Sequence, residues 1–217
     1  PDAPPAPGAQ AEIQVTRDQA IAIARRHFAI PAGLGEPNVG ISQEADRAYW
    51  TLRWETDDKQ PDQIYIHVSI DAVTGWVTGY SYWTTGLQPQ ALSLSYTREE
   101  ARELAEDWFG KLVPAEVREA VRFTDAPMAV SYFSDPTYRF NWERVAQGYP
   151  VADEGISIAI DARNGDLVDY SLNWRHGRTF TVPGALLARA EVDAALRPYL
   201  GMTLQYSYFT EPGTDEG

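Results

Sequence analysis

Residues 69–83 read SIDAVTGWVTGYSYW, and residues 159–174 read AIDARNGDLVDYSLNW. The two stretches align at an offset of 90, with Asp71 on Asp161, Gly75 on Gly165 and Tyr80-Ser81 on Tyr170-Ser171. Just before each Asp, apolar residues alternate: Ile66, Val68 and Ile70 in the first stretch, Ile156, Ile158 and Ile160 in the second. Period-two alternation ending in Asp and closed by Gly predicts a strand, a tight turn and a returning strand, because Asp can bond its own turn and Gly can take positive φ.

The duplication extends upstream. VTRDQAIAIARRHF from Val15 aligns with YTREEARELAEDWF from Tyr96 at an offset of 81. Each opens with Thr (Thr16, Thr97) and carries Gln19 or Glu100 three residues on, the spacing of a reciprocal N-terminal cap. Apolar residues at 20, 23, 24 and 28, and at 101, 104, 105, 108 and 109, then fall on one helical face. Pro31 and Pro114 limit the two helices. Between helix and hairpin lies an aromatic strand, with Trp50, Leu52 and Trp54 in one copy and Tyr138, Phe140 and Trp142 in the other. ARAEVDAALRPYLG from Ala188 starts a third copy, and MTLQYSYF adds one strand; a helix and a strand cannot bury themselves and must dock on a neighbour.

Each copy thus reads as a helix and three strands. Fold class is α+β, built of tandem helix-plus-antiparallel-sheet repeats, two complete and a partial third. The expected divisions are a Pro/Ala-rich linker at 1–14, a first repeat at 15–86, a second at 96–177, and a partial repeat with a polar tail at 178–217. The chain opens on Pro1 without Met, and a segment removed upstream is expected.

Composition narrows the function. The 217 residues carry a net charge of -13 with scattered Lys and Arg, which argues against a nucleic-acid partner and against anionic membrane surfaces. No apolar run reaches the roughly 20 residues of a membrane span, so no membrane insertion by this segment is expected. There is no cysteine, hence no disulfide and no thiolate chemistry. His27, His67 and His176 lack the spacing of a metal site, and DDKQPD lacks that of a calcium loop. No nucleophile, zinc-protease or phosphate-loop motif occurs, so neither a cofactor nor catalytic residues are expected.

The second copy carries Phe140, Trp142, Arg144, Gly148-Tyr149-Pro150-Val151, Ile156 through Asp161, Gly165, Tyr170 and Trp174. This pattern resembles the YcdB/YcdC repeat, a relative of the PepSY domain, over nearly all of residues 15–208. The first copy departs from it, lacking the Arg and the GYPV segment. The resemblance implies an exported protein of a Gram-positive-type bacterium, extracellular or in the cell envelope, sometimes beside wall-anchoring modules. It implies no catalytic residue. PepSY relatives in protease propeptides have a proposed inhibitory role. The expected function is therefore a non-catalytic interaction module with a protein partner, either a protease or an envelope protein. The alternative is an accessory or catalytic segment of a cell-wall hydrolase.

Aromatic residues that differ between copies locate the candidate partner surface. Tyr49 stands opposite Thr137 in the alignment, Tyr65 opposite Gly155, His67 opposite Ser157, Trp76 opposite Asp166 and Trp83 opposite Asn173. The shared fold does without these rings in the second copy, so Tyr49, Tyr65, His67, Trp76 and Trp83 are the candidate partner-binding residues. Packing between the two copies is the competing use for them.

Overall fold

The computed structural model describes residues 11–43, 47–57, 63–85, 94–124, 136–180 and 190–192. The chain divides into two compact units, residues 1–179 and 180–217. In the second unit, residues 190–192 are helical; the expected strand of the partial third repeat, and most of its helix, lie outside the described residues, as do residues 1–10 of the expected linker.

The first unit is α+β and mostly sheet. In chain order it runs α1 (Arg17–His27), β1 (Asn38–Gln43), β2 (Ala48–Glu55), β3 (Ile64–Asp71), β4 (Val77–Thr84), α2 (Arg98–Leu112), the single turn α3 (Ala115–Arg118), β5 (Val121–Thr124), β6 (Thr137–Ala146), β7 (Tyr149–Asp161) and β8 (Leu167–Asn173). The eight strands form one antiparallel sheet in the order β1-β2-β3-β4-β8-β7-β6-β5. β4 and β8 are the seam at its centre.

Each half has one strand more than the sequence predicts. β1 and β5 are the missed pair, and both are sheet edges. NVGISQ has two apolar residues around Gly40, and VRFT has four residues in all. Neither supplies enough alternation to register as a strand, because an edge strand needs little inward-facing surface.

Local chemistry explains the elements. Thr16 accepts from the Gln19 N–H while the Gln19 side chain accepts from the Thr16 N–H; Thr97 and Glu100 do the same at α2. The helices end at His27 and Leu112, ahead of the prolines. In each hairpin turn the Asp side chain accepts turn N–H groups, from Val73 and Thr74 at Asp71 and from Arg163 at Asp161. Gly75 and Gly165 both have φ of 77°. The segment before each helix is pinned to the turn: the Gln14 and Val15 N–H groups donate to Ala72 O, and those of Ser95 and Tyr96 to Ala162 O. Gln14, inside the expected linker, is thereby part of the folded unit.

One sheet face carries both helices, α1 over β2 and β3, α2 over β6 and β7. The core between them holds Ala20, Ala24, Phe28, Leu52, Trp54, Ile66, Val68 and Ile70 on one side, and Ala101, Ala105, Phe140, Trp142, Ile156, Ile158, Ile160 and Tyr170 on the other. Alternation then forces the intervening residues onto the opposite face. Neither α1 nor α2 lies on that face.

Candidate functional site on the open sheet face

The strand registers place the open-face residues in straight rows. One row crosses the whole sheet: Gly40, Thr51, Ser69, Gly79, Ser171, Ser157, Asn141 and Thr124. It is small or polar at every strand. The adjacent row reads Arg53, His67, Ser81, Asp169, Ala159 and Arg139. Beyond that, Glu55, Tyr65 and Trp83 form a third row on the first half alone.

Three of the five sequence-predicted residues come together. Tyr65 and Trp83 are directly opposed on β3 and β4, and His67 is two positions along β3 from Tyr65. Trp83 is 51% exposed, the largest exposure among the large hydrophobic side chains described. The Arg53 guanidinium lies 5.7 Å from the Tyr65 ring centroid, a cation–π contact that holds both side chains against the sheet. Burial, and then the nearby charge of Arg53, push the His67 imidazole pKa below its usual 6.5, so it is neutral at pH 7.

The other two lie elsewhere. Tyr49 is on the same face, but it pairs with Asp71 at the far end of β2 and lines a pocket there. Trp76 leaves the hairpin turn and packs its ring on His176, with centroids 4.6 Å apart. It is used in joining the first half to the segment after β8.

The contrast between Tyr65 and Gly155 has a backbone cause. Gly155 sits at φ 157°, beside the register shift in β6, and a Cβ there would meet Trp142 O at 2.2 Å. Glycine is required at 155 by the backbone.

A charge pair crosses the open face of the second half. Arg139 on β6 reaches across β7 to Asp169 on β8 at 2.7 Å and donates to Ser157 Oγ at 2.9 Å. It pairs across the strands with Ala159, which is 1% exposed. Further along, Glu154 is 6% exposed and is bonded by Arg144 at 2.5 Å, Arg178 at 2.8 Å and the Arg175 N–H at 3.2 Å. Burial raises the Glu154 pKa, but these bonds and the two guanidinium charges outweigh it and hold the carboxyl below its usual range. Arg144 also stacks on Trp174 at 3.9 Å. This explains part of the sequence pattern: Arg144 and Trp174 act as a pair, and the aligned positions in the first half, Thr56 and Thr84, lack both. Spacing alone could not show the pair, since the two are thirty residues apart.

Serine 81 has His67 on one side and Asp169 on the other. A hydrolytic relay needs the imidazole between hydroxyl and carboxylate; here the hydroxyl is in the middle, and Asp169 is held by Arg139. Among the described residues no group of three His, Asp or Glu side chains could hold a metal ion, and no helix is long and apolar enough to cross a membrane.

A solved structure from Clostridium difficile 630, described as a "putative lipoprotein", is similar at 13% identity, covering 75% of this chain and 96% of that one, with a TM-score of 0.24. No curated protein matches the chain. The family described as the YcdB, YcdC repeated domain matches residues 10–174, which take in α1, α2, α3 and all eight strands. The chain belongs to the YcdB, YcdC repeated domain family.

Proposed function

We propose that the chain is a non-catalytic interaction module, exported to the extracellular space or cell envelope of a Gram-positive-type bacterium, that binds a protein partner through Tyr65, His67 and Trp83 with Arg53. The observation that carries this reading is the opposed Tyr65–Trp83 pair on the sheet face opposite α1 and α2, with Trp83 about half exposed and the Arg53 guanidinium beside the Tyr65 ring. Aromatic and Arg side chains give large contact area at low entropic cost and dominate protein-binding hot spots. The partner class, a protease or an envelope protein, rests on the company PepSY-like repeats keep.

The two halves of the sheet are, in this reading, copies of one repeat at 15–86 and 96–177, related by a near-two-fold axis through the β4·β8 seam. The matching caps, turns and backbone bonds support it. Superposing the two halves on their helix and four strands tests it, and a mismatch in strand order or path would refute it.

The binding reading is tested by quantitative pull-down from envelope extract. Wild type is compared with Tyr65→Ala/Trp83→Ala and with Tyr149→Ala, an exposed ring on the other half. A partner retained by wild type and Tyr149→Ala but lost by the double variant is expected. Equal recovery by all three removes the site.

A further inference from the structure

A pocket of about 230 Å³ opens on the same sheet face, at the seam and away from Trp83. Ser69, Thr78 and Ser171 line it from β3, β4 and β8, and Arg47, Arg175 and His176 bring three basic side chains to its walls. In a chain of net charge -13 that is a local reversal of sign.

The two arginines are not consumed by the fold. Arg47 Nη1 donates to Asn173 Oδ1 at a long 3.4 Å, and Arg47 Nη2 is buried with no hydrogen-bond partner among the described residues. A desolvated guanidinium nitrogen without an acceptor is costly, and an acceptor oxygen removes that cost. Arg175 uses its backbone, giving its N–H to Glu154 and its carbonyl to Arg144, while its exposed side chain makes no hydrogen bond among the described residues. The acidic wall residue, Asp71, is already engaged: Oδ1 takes the Val73 and Thr74 N–H groups, and Oδ2 lies 3.9 Å from His176 Nε2.

We infer that this pocket binds a small carboxylate, presented as the C-terminal residue of a peptide. Guanidinium groups pair with carboxylates through short, charge-assisted bonds, and capture of a chain-terminal carboxylate is a recurring recognition mode. The volume lies below the range of drug-sized ligand sites, which limits the occupant to about one small residue. The hydroxyls of Ser69, Thr78 and Ser171 both donate and accept, as the amide preceding a terminal carboxylate requires.

The test is an NMR titration of the intact chain with acetyl-alanyl-alanine and, separately, with its C-terminal amide. Saturable shifts of the Ser69, Thr78 and Ser171 amide signals are expected with the free acid. The amide should bind at least about tenfold more weakly. Arg175→Gln should weaken the acid by a similar factor, and Arg47→Gln should abolish its binding. Arg175 is exposed and its side chain makes no hydrogen bond among the described residues, so Arg175→Gln reads the site even where Arg47→Gln fails to fold. No saturable shift with the acid, equal binding of acid and amide, or unchanged affinity in Arg175→Gln would overturn the inference.

Discussion

Tyr80 and Tyr170 face each other directly across the β4·β8 seam, at the two positions that align at an offset of 90 in the sequence. Both point to the helix side. Tyr80 stacks on Phe28, with centroids 4.1 Å apart and rings 16° from parallel. Tyr170 is 1% exposed, and its hydroxyl has no hydrogen-bond partner among the described residues. Burial raises both phenol pKa values well above 10. The two tyrosines pair across the seam, yet among the described residues only Tyr80 has a stacking partner.

Removing the buried, unpaired hydroxyl should therefore help. Tyr170→Phe is expected to leave stability unchanged or raise it by about 1 kcal/mol. Tyr80→Ala should cost about 2–4 kcal/mol through the lost Phe28 stack and the space left behind. Urea denaturation midpoints check both, and a clear loss in Tyr170→Phe would show that the hydroxyl has a partner in solution.

Gly75 and Gly165 share φ of 77° but not their surroundings. A Cβ at 165 would meet Tyr96 Cζ at 2.7 Å and Leu104 Cδ1 at 2.9 Å, whereas at 75 the nearest atom is Ile23 Cδ1 at 3.4 Å. Gly165→Ala should cost about 1–3 kcal/mol, more than Gly75→Ala, because it adds a clash to the backbone strain. Thermal melts of the two variants measured side by side decide it.

Arg144→Ala should be among the most damaging single changes, at about 3–5 kcal/mol, since it removes a guanidinium from the buried Glu154 and strips the Trp174 face. Glu154→Gln should be milder, as it keeps the shape and removes the charge. Because the Glu154 pKa is depressed in the fold, its contribution is present above the ordinary value of 4.5 and is lost as pH falls through the lower folded value. The acid limb of a stability-versus-pH curve should flatten in Glu154→Gln.

His67 and His27 both have imidazole pKa values lowered by burial, with Arg53 and Arg26 adding to the effect. Their unfolded forms take up protons first, so stability should fall as pH drops below 6.5 toward the folded values. The slope in that window should be shallower in His67→Gln and shallower again in His27→Gln/His67→Gln. An unchanged slope would place the imidazoles in water.

The sequence by itself determined the local elements. Thr16 with Gln19, Thr97 with Glu100, and the Asp–Gly turns are legible because a cap or a tight turn is a contact between residues a few positions apart. The inward faces of β3 and β7 are legible for a related reason: alternation is a property of the strand itself. Tertiary structure decided what those elements meet. That β4 pairs with β8 and merges the two halves into one sheet is a choice between distant edges, and no local pattern encodes it. The same holds for Arg144 on Trp174 and for Trp76 on His176, whose partners lie thirty and a hundred residues away. Sequence comparison of the copies named Tyr65, His67 and Trp83, together with Tyr49 and Trp76, because all five differ between the copies; the register of β3 and β4 is what brings the first three together. It could not separate Trp76 from them: the turn at Gly75 breaks the alternation, and the direction of the ring is set by a segment from the other end of the sheet.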